Sequence, residues 1–70
     1  MMQSITPKQH SVLRMVDRHI RRYGYAPSVR EIASQTGRTV GAAHKILERL
    51  EERGRISRGK GQARSIEVLK

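Results

Sequence analysis

Seventy residues carry fifteen Lys and Arg against six Asp and Glu, a formal net charge of +9. A chain this short makes one domain with a modest core, and the absence of cysteine excludes disulfides and Cys-based zinc sites. The charge selects a polyanionic partner: nucleic acid, an acidic membrane face or an acidic protein.

Tyr23 and Tyr25 are the only Phe, Trp or Tyr residues, too few for the stacking platforms that hold single strands. No apolar run is long enough to span a bilayer. The start, Met1 to Ile5, lacks the basic-then-apolar order of a signal peptide. A cytoplasmic chain without membrane contact is therefore expected, with residues 1–5 a tail and 6–70 the domain.

Thr6, Pro7 and Gln9 predict a helix start: an N-cap, a proline at the first helical position and the far member of a capping box. Leu13, Val16, Ile20 and Tyr23 follow at helical spacing, widened by Val12, and Gly24 closes the helix. Arg18, Arg21 and Arg22 fall near its C-terminal end, where the helix dipole favours cations. Pro27 keeps Tyr25 and Ala26 extended. Ser28 and Glu31 form a second capping box ahead of a short helix, with Val29, Ile32, Ala33 and Thr36 on one face and Gly37 at its end.

Thr39 is the next N-cap. Ala43, Ile46, Leu47 and Leu50 make a buried stripe, and Gly54 stops a third helix over 39–53. Arg55 to Arg58 and Ser65 to Val68 then alternate, with Ile56, Ile66 and Val68 inward, around a basic Gly-containing loop. They predict a β-hairpin. The fold class expected is mainly α with a small β-hairpin, a three-helix winged helix-turn-helix.

The tight junction at Gly37 carries the functional expectation. Ala33 is small where the next helix crosses, and Gly37 supplies a positive φ. A recognition helix over 39–53 in the major groove would present Thr39, Val40, Gly41, Ala42, His44 and Lys45 to base edges. Lys45 and His44 offer hydrogen bonds, Val40 and Ala42 offer contact to thymine methyls, and the small side chains allow deep entry. Phosphate contacts are expected from Ser28, Arg30 and Arg49, and from Arg58, Lys60 and Arg64 of the wing over 58–64, which has little acid nearby. The wing would lie on the backbone or in the minor groove.

From Thr6 to Leu69 the chain resembles the N-terminal DNA-binding domain of LexA-type repressors. The residues that carry the likeness are Thr6, Gln9, Ile20, Gly24, Pro27, Glu31, Ile32, Ala33, Gly37, Ala42, Ala43, Leu47, Leu50, Gly54, Ile56, Ala63, Arg64, Ile66 and Leu69. The resemblance implies three helices and a two-stranded wing, with Thr39, Gly41, Ala42, His44 and Lys45 facing an operator. It also implies a bacterial or phage regulator. The chain departs from the family at Gly41, His44 and Lys45, where an Asn and two acidic residues are usual. Its operator is therefore expected to differ. The turn after Gly37 is one residue shorter than the family's. The self-cleaving, dimerising C-terminal part of such repressors has no counterpart in these residues, so this is an excised domain or a stand-alone relative.

Three other readings have physical content. A winged helix can serve as a protein-interaction module for an acidic partner. Duplex RNA would accept the charge, but its deep, narrow groove does not admit a helix. An enzyme needs convergent polar groups in a pocket, which so short a chain does not readily build. His10, His19 and His44 lack ligand spacing and read as surface residues, so neither metal nor cofactor is expected. The apolar stripes are consumed by one core, so the chain alone is expected to be a monomer that pairs only on a two-fold operator.

Overall fold

The computed structural model describes residues 5–59 and 66–69. Three helices, α1 (Pro7–Tyr23), α2 (Val29–Thr36) and α3 (Val40–Glu52), precede two strands, β1 (Ile56–Arg58) and β2 (Ile66–Val68). The expected architecture is borne out. The calls that fall on residues 60–65, Lys60 and Arg64 among them, lie outside the described residues.

Each helix begins where its cap residue stands. Thr6 Oγ1 accepts from the Gln9 N–H and Gln9 Oε1 from the Thr6 N–H, both at 3.1 Å. Ser28 and Glu31 repeat the exchange at 3.1 and 2.8 Å. Thr39 Oγ1 accepts from the Ala42 N–H at 3.1 Å, without a reciprocal side chain. The ends are equally local. Gly37, at φ 67°, reverses the chain after α2, and the Arg38 N–H reaches back to the Ala33 carbonyl at 2.9 Å. That pair of features is a Schellman stop. A second one ends α3, with the Arg55 N–H on the Leu50 carbonyl at 2.9 Å.

Val12, Val16, Ile32, Ala43, Leu47 and Leu50 are wholly buried, and Met15, Ala26, Ala33, Ile56 and Ile66 nearly so. The helices pack pairwise, α1 on α2 and α3, and α2 on α3. The hairpin pairs Ile56 with Val68 and Arg58 with Ile66, so Ile56 and Ile66 enter the core and Val68 packs at its edge. β1 rests on α3 and β2 on α1, which fastens the base of the wing to the helical core.

The expected α1 stripe is rotated. Val12, Met15, Val16 and His19 form its buried face, with Leu13 and Ile20 only partly buried. Because α1 meets α2, α3 and β2, its inward face is wider than one stripe and takes in Met15 and His19. His19 is thus not a surface residue. The residue is 7 % exposed, and its Nδ1–H donates to the Tyr25 carbonyl at 3.0 Å. Tyr23, expected in the core, is 53 % exposed. It is the last residue of α1 and lies past the final buried position, so its ring rests against His19 instead. Thr36 is partly buried and turns its hydroxyl back onto the Ile32 carbonyl at 2.6 Å.

Candidate nucleic-acid interface

The outer face of α3 is fixed by what its inner face buries. Ala43, Leu47 and Leu50 are 0 % exposed, which turns Val40, Gly41, Ala42, His44, Lys45 and Arg49 outward, all exposed. From Thr39 to Lys45 the face runs about 9 Å along the axis at about 1.5 Å per residue. A major groove about 12 Å wide accepts such a helix.

Gly41 has no internal explanation. A side chain built there meets nothing within 4 Å, and its φ is not positive. Glycine costs a helix up to about 1 kcal/mol relative to alanine, so nothing in the fold calls for it. A bare backbone at this exposed position leaves room for an approaching molecule. With Val40 and Ala42 on either side, the first turn of α3 presents mainly backbone and small apolar side chains, followed by the polar His44 and Lys45.

The starts of α2 and α3 differ electrostatically. In α2 the Glu31 carboxylate sits in the first turn and caps the Ser28 N–H. It already occupies the positive end of the dipole. In α3 the first turn holds no acidic residue. The Thr39 side chain satisfies only the Ala42 N–H, which leaves the Val40 and Gly41 N–H groups without intrahelical partners. An oriented dipole with uncommitted donors favours an anion there. Ser28 and Arg30 remain at the exposed or half-exposed start of α2, but beside a carboxylate.

Two expected phosphate ligands are engaged in ion pairs. Arg49 meets Glu52 at 3.2 Å with both side chains well exposed. Arg58 sends Nε and Nη2 to the same Glu51 oxygen at 3.3 and 3.2 Å. The wing start therefore has acid nearby after all. Glu51 lies seven residues before Arg58, across the α3–β1 junction, and the packing of β1 on α3 brings the two together. An exposed pair such as Arg49–Glu52 is worth about 0–1 kcal/mol and exchanges readily for a phosphate. Arg58 is more enclosed, at 23 % side-chain exposure, and ties the wing base to α3.

Arg38 was not singled out by the sequence reading. It occupies the turn between α2 and α3, and its Nε is buried with no hydrogen-bond partner among the described residues. The signal was available as a basic residue immediately before the N-cap of α3.

Among the described residues, no helix is long and apolar enough to cross a membrane. Nor do they group three His, Cys, Asp or Glu side chains as a metal site would need.

Comparison with known proteins joins this geometry to a family. The family model for the LexA DNA binding domain matches residues 2–65. The LexA repressor of Pelotomaculum thermopropionicum is 43 % identical over 70 residues, covering 99 % of this chain and 34 % of that protein. Those of Leptospira biflexa and Gluconobacter oxydans are 39 % and 40 % identical, over 99 % and 94 % of this chain and 34 % and 28 % of theirs. The chain spans about a third of the length of the relatives it matches. By its matched residues, its three capped helices and its hairpin, the chain belongs to the LexA DNA binding domain family.

Proposed function

We propose that this chain is the operator-reading part of a transcriptional repressor, working in the cytoplasm on double-stranded DNA. The outer face of α3 enters the major groove. Thr39, Val40, Gly41 and Ala42 bring backbone and methyl groups to the base edges, and His44 and Lys45 supply the hydrogen bonds that discriminate them. The carrying observation is Gly41, a helix-weakening residue on an exposed face with nothing in the fold to require it.

Phosphates are held at the start of α3, by Arg38 in the preceding turn, and by Ser28 and Arg30 at the start of α2. Arg49 joins them by exchanging Glu52 for a phosphate, and the wing adds Lys60, Arg64 and the enclosed Arg58. Repression follows from occupancy of a control site. The curated relatives are named LexA repressor, and with Gly41, His44 and Lys45 this chain reads a different base pattern from most of its family.

Selection of preferred sites from a random duplex library tests the reading directly. A recurrent motif protected by the chain supports it, and recovery of no motif overturns it. Titration at several salt concentrations is a second test. If about five phosphates are neutralised, log affinity falls with log salt at a slope of roughly −4.5. A flat response removes DNA as the partner.

A further inference from the structure

α1 carries a second cationic surface. Arg14, Arg18, Arg21 and Arg22 are all exposed, on the side of the helix away from Val12 and Val16. The dipole accounts for Arg21 and Arg22 in the last turn but not for Arg14, nor for Arg18, which was expected with them but lies before the last turn. Those two stand four residues apart, a spacing at which like charges weaken a helix. Asp17 is committed to Arg21 Nε at 3.1 Å.

Beside this stripe lies a shallow groove of about 200 Å³, lined by Met15, Arg18, His19, Arg22, Tyr23 and Gln35. Met15 and His19 are its buried floor, at 4 % and 7 % exposure. The Tyr23 ring stands 4.6 Å from His19, and the Arg22 guanidinium lies 5.6 Å from the Tyr23 ring centre. Tyr25 closes the ring cluster at 5.5 Å from His19, which holds these side chains in place before anything binds. No carboxylate and no residue of α3 lines the groove. It sits on the seam of α1 and α2, and neither Gly41 nor Lys45 lines it.

We infer that this groove docks a segment of a second protein that places an apolar side chain on Met15 and Tyr23, with carboxylates flanking it at Arg18 and Arg22. Arg, Tyr and Met are the residues enriched in the cores of protein interfaces, and Lys is depleted there. The groove contains the first three and no Lys. A phosphate backbone would satisfy the arginines but has no apolar group for the floor. A carboxylate-flanked apolar side chain satisfies both.

The probe is a short fluorescein-labelled peptide of Asp and Glu around one central Leu. Its control has Ser in place of the Leu. The expected result is saturable binding, weaker for the Ser control, with amide shift changes concentrated at Met15, Arg18, His19, Arg22, Tyr23 and Gln35. The double variant Arg18→Gln/Arg22→Gln should lose about tenfold in peptide affinity, two charge-assisted contacts being removed. Its affinity for a selected duplex should change by less than about threefold at physiological salt, where long-range charge is largely screened and neither arginine is among the phosphate-holding residues proposed above. A melting curve of the double variant confirms that it is folded. Tyr23→Ala, at the exposed end of α1, is the second variant and should lose the preference for Leu over Ser.

Absence of binding overturns the proposal. So does equal binding of the Ser control, which would leave only long-range charge. Shift changes on α3 in place of the groove would also overturn it. Duplex DNA that perturbs the groove residues would assign the surface to nucleic acid instead.

Discussion

Gly41 and Lys45 stand on one face of α3, yet they affect the protein through different terms. Replacing Gly41 by Ala adds one methyl in open space and strengthens the helix by up to about 1 kcal/mol. Gly41→Ala is therefore expected to melt higher, by up to about 4–8 °C in a domain of this size. If the α3 backbone sits against the groove, the same methyl lowers affinity for a selected site, on the order of tenfold for a loss of about 1.4 kcal/mol. A melting curve and a titration on the same sample separate the two effects. Higher stability with unchanged affinity would show that the backbone does not approach the bases. Lys45→Ala should cost about 1–3 kcal/mol on a selected duplex and far less on a scrambled one, since a base contact carries discrimination. Arg30→Ala should weaken both duplexes alike and flatten the salt slope by about one. Equal losses on both duplexes for Lys45→Ala would remove it from the base-reading set.

At the scale of elements, the α2–α3 pair depends on Ala33, which is 4 % exposed and packed into the core. Ala33→Leu adds three carbons where the two helices meet. Overpacking of this kind costs about 1–3 kcal/mol, and each kcal/mol lowers the melting temperature by roughly 4–8 °C in a small domain. Circular dichroism during a thermal melt reads the change, and an unaltered midpoint would mean that the helices do not meet at Ala33. Helix starts and stops were legible in the sequence because their determinants are local. Thr6, Ser28 and Thr39 cap within three residues, and Gly37 turns the chain by its own φ. The inward faces of the two strands followed from alternation, with Ile56 and Ile66 in the core and Val68 packed against it. What stayed hidden depends on tertiary neighbours. The burial of His19 requires the Tyr25 carbonyl to fold back over α1. The Arg58–Glu51 pair requires β1 to pack on α3. The orphan Nε of Arg38 follows from how the turn encloses that side chain. The outer face of α3 was legible, since it is whatever the stripe of Ala43, Leu47 and Leu50 leaves over.

For the whole molecule the open question is how one small reader acquires operator strength. A lasting dimer needs an apolar surface of about 800 Å² on each partner. Among the described residues the large exposed apolar side chains are Tyr23, Tyr25, Val40 and Leu69. Val40 lies on the face assigned to DNA, and Leu69 follows β2 at the end of the hairpin. A net charge of +9 adds repulsion between copies. The described molecule measures 33 × 24 × 23 Å, whereas half-sites of a two-fold operator lie about 34–36 Å apart. Two copies centred on adjacent half-sites therefore stand nearly side by side, with little area to share. The chain is expected to sediment as a monomer at tens of micromolar without DNA, a concentration at which an interface of about 8 kcal/mol would already be half formed or more. On a duplex with two half-sites it should bind the second copy with little cooperativity. Moving the half-sites apart by a further full helical turn should then change the affinity little, because no protein contact is being broken. A stable dimer in free solution, or a steep dependence on half-site spacing, would reveal an interface.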